Sequence, residues 1–195
     1  MNVEPLPSEV ADLLRRLGAP PRLVAHLTLV HDVACRLTAR FDAEWPTLTY
    51  DRTAVHMGAA IHDIGKTTHP EELTQPGHAH ELAGEGLLRA QGFPDDLVRF
   101  ARTHSQWAED PARQPEDLLV AVADGWWRGK RDDQLEAAVC RWIAEETQAT
   151  PWQVFAALDD IADGITARAD ARLAWQQLFV AEGIEHGPEP SMGTE

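Results

Sequence analysis

The chain has 195 residues, of which 44% are hydrophobic and 25% are charged, and its net charge is −15. This composition predicts one globular domain with its own core. No apolar run approaches the roughly 20 residues of a membrane span, and the first residues lack a secretion pattern, so we expect a cytoplasmic protein without a membrane partner. The acidic balance excludes long duplex nucleic acid, because nonspecific binding depends on neutralising phosphates. A small anionic ligand, or a nucleic-acid end, can still bind where a metal ion inverts the local field.

Nearly the whole chain has helical periodicity, with prolines and glycines at the segment boundaries. The fold class that this predicts is an all-α bundle of about eight helices, forming a single domain over residues 1–182. Residues 183–195 are acidic and rich in glycine and proline, and we expect them to be disordered. The predicted helices run over residues 8–18, 20–40, 50–64, 80–92, 94–107, 115–127, 132–147 and 151–180.

Three of these helices place a metal-binding side chain within an apolar pattern. On the second helix, Val24, Leu27, His31 and Ala34 step by three or four positions and therefore share one face. His31 is thus predicted to face the interior, as a metal ligand or as a packed core histidine. We expect only surface or packing roles for the remaining histidines outside this pattern, namely His26, His56, His69 and His186.

On the third helix, His62 and Asp63 follow the small residues 58–60, which would let another helix approach closely. Adjacent helical positions point about 100° apart, so both side chains reach one ion only if it lies between the two directions. On the sixth helix, Asp124 follows six apolar residues, where an ionised carboxylate is costly unless it is paired or bound to a metal. The alternatives are a solvent-facing Asp63 and an ion pair of Asp124 with Arg128.

A cation held by His31, His62, Asp63 and Asp124 accounts for all three features together. Imidazole and carboxylate ligands suit manganese, iron, nickel, cobalt or zinc, and magnesium also stays open. Two further histidines, His80 and His104, would complete a second site that shares Asp63 as a bridge. Two ions about 3.5–4 Å apart can clamp a phosphoryl group and activate a hydroxide.

The order of these residues resembles the HD superfamily of metal-dependent phosphohydrolases. His31 comes first, then the His62-Asp63 pair inside AAIHDIGK, then Asp124 inside AVAD. The resemblance covers about residues 20–130, and HDIGK is its most specific part. It implies an all-α fold in which His31, His62, Asp63 and Asp124 hold one divalent ion.

The additional histidine motifs of the two-metal members are similar to HELAGEGLL and to the context of His104. The resemblance implies that Asp63, His80 and His104 hold a second ion. His78 competes with His80, and we prefer His80 because Gly84, four residues later, fits the family spacing. Ser105 stands where many two-metal relatives have another histidine, so one or two ions both stay open.

We therefore predict a metal-dependent hydrolase of phosphate monoesters or diesters, acting on nucleotides or on phosphate at nucleic-acid ends through a metal-activated water. The resemblance implies that Lys66, at the entrance of the polar loop after the pair, contacts the substrate phosphate or a nearby carboxylate, and the basic cluster at Arg128 would receive an anionic substrate. A solvated position is the alternative for both. Trp126 and Trp127 would stack on a base or pack in the core. Two other functions stay open: a di-iron oxygenase of the same superfamily, and a metal-binding regulatory module without catalysis.

Overall fold

The computed structural model describes residues 1–108 and 112–182, and this part of the chain contains helices and no strand. The all-α prediction is therefore confirmed. Two short 3₁₀-helices, Ile64–Thr67 and Pro70–Leu73, lie between α3 and α4. The α-helices are α1 (Ser8–Arg16), α2 (Pro21–Glu44), α3 (Arg52–Ile61), α4 (Ala79–Ala90), α5 (Asp95–Val98), α6 (Phe100–Gln106), α7 (Pro115–Trp126), α8 (Asp133–Thr147), α9 (Pro151–Thr166) and α10 (Ala169–Glu182).

Two of the eight predicted segments are each divided in the structure. The fifth breaks at Arg99 into α5 and α6, and the eighth breaks at residues 167–168 into α9 and α10. The predicted disorder of residues 183–195 lies outside the described residues. Within the described part, no helix combines the length and the apolar character needed to cross a membrane.

Helices α2, α3 and α7 pack against one another at the centre of the fold. Reciprocal side-chain bonds of Gln114 and Asp117 cap α7, and the Asp51 carboxylate accepts a hydrogen bond from the amide of Ala54 at the start of α3. One apolar core joins the later part of α2 to α3, α7, α8 and α9. A second apolar core joins α1 to the beginning of α2, to the end of α3 and to α4–α6. The central helices are thus held from both sides.

The His62-Asp63 pair lies at the end of a helix rather than inside one. Helix α3 ends at Ile61, three residues earlier than predicted, and Asp63 has φ −100° and ψ 11°, outside the helical range. A 3₁₀-helix begins at Ile64, and the hydroxyls of Thr67 and Thr68 bond to carbonyls one turn earlier. This change of direction lets two consecutive side chains face the same point.

Gly65 allows this 3₁₀-helix to approach α4 closely. A Cβ atom at Gly65 would lie 1.9 Å from the carbonyl oxygen of His80 and 2.6 Å from the amide nitrogen of Gly84. Both neighbours are backbone atoms that no side-chain rotation can move away. Only glycine fits, and the close approach brings the beginning of α4 beside Asp63.

We predict that Gly65→Ala lowers the free energy of unfolding by at least about 2 kcal/mol, because α4 must move to relieve the overlap. The matched control is Gly86→Ala in α4, where an added Cβ meets no atom within 4 Å. That control should raise stability by about 0.5–1 kcal/mol through helix propensity. Urea unfolding of both variants measures the difference, and equal midpoints for Gly65→Ala and the wild type would contradict the packing argument.

Candidate metal centre

Four side chains converge beneath the central helices. Nε2 of His26 lies 3.2 Å from Nε2 of His62, 3.0 Å from Oδ2 of Asp63 and 3.4 Å from Oδ1 of Asp124. Nε2 of His62 lies 3.7 Å from the same oxygen of Asp63 and 3.7 Å from the same oxygen of Asp124. Two imidazoles and two carboxylates at these spacings form a donor set for one transition-metal ion.

A second group of donors lies on the other side of Asp63. Its Oδ1 atom is 3.1 Å from Nε2 of His80 and 3.5 Å from Nε2 of His104. Helix α4 carries His80 and α6 carries His104, so this group depends on helices that do not contribute to the first. Because Oδ2 of Asp63 faces His26 and His62 while Oδ1 faces His80 and His104, this carboxylate lies between two adjoining donor groups.

Three of the imidazoles are oriented by a bond at their other nitrogen. Nδ1 of His62 lies 3.0 Å from the carbonyl oxygen of Ala59, and Nδ1 of His104 lies 2.9 Å from the carbonyl oxygen of Phe100. A carbonyl oxygen only accepts, so Nδ1 carries the proton in both rings. In the neutral form of each ring Nε2 is then the unprotonated nitrogen and faces the centre, which is the arrangement that metal-binding histidines use.

The third imidazole, His80, is oriented by a carboxylate from the preceding loop. Nδ1 of His80 lies 2.5 Å from Oε2 of Glu72, and the other oxygen of Glu72 accepts a hydrogen bond from the amide of Ala79. The 3₁₀-helix Pro70–Leu73 carries Glu72, so the polar loop has a direct role in building the centre. Sequence reasoning missed Glu72, because a glutamate eight residues before a histidine has no recognisable spacing.

Burial and neighbouring charges shift the pKa values of three side chains in the centre, Asp63, His62 and His104. Burial opposes the charged form of Asp63, but the neighbouring His62, His26 and His80 outweigh it and hold the pKa of this carboxyl well below its usual range. Burial also opposes the charged form of His62, yet Asp63 and Asp124 raise its pKa. Burial, aided by His62, lowers the pKa of His104 to about 4, so its imidazole is neutral at neutral pH.

Unpaired buried polar atoms indicate, independently of any sequence motif, that the donor set fits a divalent cation. Two buried atoms of the second group, Oδ1 of Asp63 and Nε2 of His80, lie 3.1 Å apart without hydrogen-bond geometry between them, and neither has another hydrogen-bond partner among the described residues. Leaving such atoms unpaired costs about 1–3 kcal/mol each. Lys66 supplies one positive charge, since its Nζ lies 2.5 Å from Oδ2 of Asp63. It forms no hydrogen bond with Oδ1 of Asp63 or with Nε2 of His80. A cation beside Oδ1 would satisfy both.

The structure does not bring His31 to the centre, and His26 lies there instead, beside His62, Asp63 and Asp124. The two histidines are five residues apart on α2, so their side chains point about 140° apart. His31 is 5% exposed and lies 3.6 Å from the sulfur of Cys35, with its ring centroid 5.9 Å from that of His56. Burial lowers the pKa of His31 to about 4. It is a neutral histidine of the helix interface.

Periodicity could not choose between these two histidines. His26 is three residues after Leu23 and four before Val30, so it meets the same spacing rule that His31 meets. Helix α2 is apolar over most of its circumference, with buried residues on nearly every side. A pattern test therefore accepts both histidines, and only the packing of α2 against α3 and α7 separates them.

The other predicted residues fall into two sets. His62, Asp63, Asp124, His80 and His104 are brought together in the centre, and Lys66 lies beside them. His78 is not: its side chain is 79% exposed and Nδ1 lies 2.8 Å from Oε1 of Glu81. The hydroxyl of Ser105 donates to that same oxygen of Glu81. Trp126 and Trp127 are buried, and Trp127 packs edge-on against the His26 ring.

The centre opens into a cavity of about 350 Å³. Asp63, Lys66, His80, His104 and Asp124 lie at its metal-binding end. Arg128 and Trp107 also line it, and both are accessible to solvent to some degree. The cavity therefore connects two carboxylates and their histidines to positively charged and aromatic side chains.

We predict that His26→Ala weakens metal binding by more than about 100-fold, because loss of an outer hydrogen-bond partner alone typically costs 10–100-fold. His31→Ala is the matched control on the same helix, and it should lower stability without changing metal stoichiometry. Metal content of the purified variants and calorimetric titration measure both effects. Metal loss in His31→Ala together with full retention in His26→Ala would return the ligand role to His31.

We also predict that Glu72→Gln weakens binding of the second ion by about 10–100-fold, because His80 loses the carboxylate that orients its ring. Glu71→Gln is the control, since Glu71 is adjacent and exposed and contacts His69 rather than His80. Titration of a metal-stripped sample resolves the two binding steps. Identical second-step affinities for Glu72→Gln and Glu71→Gln would remove Glu72 from the centre.

Comparison with known proteins agrees with this geometry. No solved structure matches the chain significantly. The family model described as HD domain matches residues 7–126, which include the six donor residues of the centre and Lys66 beside them. HD domains bind divalent metals through histidine and aspartate side chains, as the donor groups found here would. The chain therefore belongs to the HD domain family, a superfamily of metal-dependent phosphohydrolases.

Proposed function

We propose that this protein hydrolyses phosphate esters, with nucleotides or the terminal phosphate of a nucleic-acid strand as substrates. The observation that carries the proposal is the position of Asp63, whose two oxygens face two separate histidine groups in a cavity open to solvent. Bridged sites of this kind suit phosphoryl chemistry, because both the attacking and the leaving oxygen need stabilisation. We propose manganese, iron, nickel, cobalt, zinc or magnesium as the resident metal.

When bound, the divalent metal would polarise the phosphate and lower the pKa of a coordinated water. His26, His62, Asp63 and Asp124 would hold one ion, and Asp63, His80 and His104 would hold the other. These residues keep their donor atoms in place through bonds to Ala59, Phe100 and Glu72, so little reorganisation is needed when the substrate arrives.

Two cations of the chain would act on the substrate itself. Lys66 is already directed at the centre, 2.5 Å from Oδ2 of Asp63, and a short shift of its flexible side chain would place the ammonium against a phosphoryl oxygen. Arg128 lines the same cavity and can bind phosphate through two parallel N–H donors. Lys66 would balance negative charge that builds up on the reacting phosphate, and Arg128 would help to hold the anionic substrate in the cavity.

The cavity limits the substrate to a small one. Its volume of about 350 Å³ lies at the lower end of the range of small-molecule sites. Trp107 is the partly exposed aromatic residue of the cavity, and its ring is available to stack on a base. Trp126 is unsuited to this role, because it is buried and its indole nitrogen donates to Glu136.

We predict that Asp63→Asn and Asp124→Asn each reduce phosphate release by at least about 100-fold, since each removes a charged donor from the centre. His78→Ala should retain most of the activity, because this exposed side chain does not face Asp63. The assay measures inorganic phosphate from mononucleotides and 2′- or 3′-phosphorylated oligonucleotides, and the ring-opened monophosphate from cyclic nucleotides, with each candidate metal.

Two results, one from an oxygen-consumption measurement and one from the phosphate assay, would overturn the proposal. Oxygen consumption by a mixed-valence di-iron centre would identify an oxygenase instead. A protein that binds no metal and releases no phosphate under any condition would be a regulatory module.

A further inference from the structure

Two cations on the turn between α7 and α8, Arg128 and Lys130, line the cavity without a partner. Within residues 1–108 and 112–182, neither side chain forms an ion pair or a hydrogen bond. Their neighbour Arg131 behaves differently, because it bonds to Glu136, Asp159 and Asp163. Two unpaired cations beside a cavity are notable in a chain with a net charge of −15.

The carboxylates of the cavity do not neutralise these cations, because each already has another function. Asp63 and Asp124 belong to the metal centre. Glu81 accepts hydrogen bonds from Ser105 and Gln106 and contacts His78. The Asp132 carboxylate accepts from the amides of residues 134 and 135 and caps α8. The positive charges of Arg128 and Lys130 therefore remain available to a ligand.

The turn that carries them is built to a fixed shape. Gly129 has φ +81°, a conformation that side-chain-bearing residues rarely adopt, and its amide donates to the carbonyl of Trp126. The amide of Lys130 donates to the carbonyl of Gly125, which closes the turn onto the end of α7. Arg128 and Lys130 are thus presented from a hydrogen-bonded turn at the end of α7, the helix that carries Asp124.

The lysine distribution points the same way. The sequence contains two lysines, Lys66 and Lys130, and both line this cavity. Lys66 lies at the metal centre, where it contacts Asp63. Lys130 follows Asp124 by six residues and belongs to the turn beyond the end of α7. The cavity therefore has cations in two places, and one reacting phosphate accounts only for the first.

We infer that Arg128 and Lys130 form a subsite for a second phosphate group of the substrate. The inference rests on the proposed function, since the metal centre would hold the phosphate that reacts. Arg128 and Lys130 lie beyond Trp126, where α7 ends, whereas Asp124 and its partners form the metal centre, so we assign the second phosphate to a different position of the substrate's sugar from the phosphate that reacts. The substrate class is a nucleotide with phosphates at two sugar positions. A free nucleoside bisphosphate and the phosphorylated end of an oligonucleotide both supply this chemistry.

The test compares kcat/KM for a nucleoside 3′,5′-bisphosphate and for a dinucleotide with a terminal phosphate against the matched monophosphates. We expect the wild type to prefer each two-phosphate substrate by about tenfold or more. The double variant R128Q/K130Q should lose this preference, so that the ratio falls to near one. R40Q/R141Q is the charge-matched control, because Arg40 and Arg141 are exposed and neither lines the cavity; it should keep the wild-type ratio. A preference for only one of the two substrates identifies the source of the second phosphate.

Lysine labelling gives a second readout that needs no turnover. An amine-reactive acetylating reagent and peptide mass mapping report the accessibility of Lys130. The bisphosphate should protect Lys130 at an at least about tenfold lower concentration than the monophosphate does.

The two readouts separate the failure of the subsite from the failure of the hydrolase. Phosphate release with an unchanged ratio in R128Q/K130Q overturns the subsite and leaves the hydrolase standing. No phosphate release, but selective protection of Lys130, overturns the hydrolase and supports the subsite. No release and equal protection overturn both.

Discussion

The buried carboxylate of Asp63 is the interaction on which the rest of this structure depends. An ionised aspartate in a helical core is costly unless positive or hydrogen-bonding groups surround it. Here His26 and His62 face one oxygen together with Lys66, while His80 and His104 face the other. These groups come from three α-helices, from the residue that follows α3 and from a 3₁₀-helix, so the fold has to bring all of them to one carboxylate.

The positions of a few backbone segments bring these side chains to Asp63. The helix ends before Asp63, which turns two consecutive side chains toward one point, and Gly65 lets α4 approach closely enough to deliver His80. The Nδ1 bonds of His62 and His104 use carbonyls of their own helices, so each ring is oriented by local structure. The Glu72 carboxylate orients His80 from a neighbouring loop. Each donor is therefore held before any ion binds.

The distribution of charge relates the centre to its ligand. The chain as a whole repels anions, yet Lys66, Arg128 and Lys130 all line one cavity. Four carboxylates line the same cavity, so a bound divalent metal would add the positive charge that lets these cations attract an anion. A small phosphate ester can enter such a cleft, whereas an extended duplex would also meet the acidic surface around it.

The sequence by itself determined the helical class and the approximate helix positions, and it predicted five of the residues that the structure brings together at the centre. Helical periodicity and the Pro and Gly boundaries follow local rules, and buried carboxylates and histidines near apolar runs are recognisable because burying them is costly. Tertiary structure alone decided between His26 and His31, because α2 is apolar on nearly every side and both histidines fit its pattern. Tertiary structure alone also identified the contact of Glu72 with His80, which a sequence pattern does not reveal. It alone showed that Lys130 has no ion-pair partner among the described residues, because that depends on which side chains the fold brings near it.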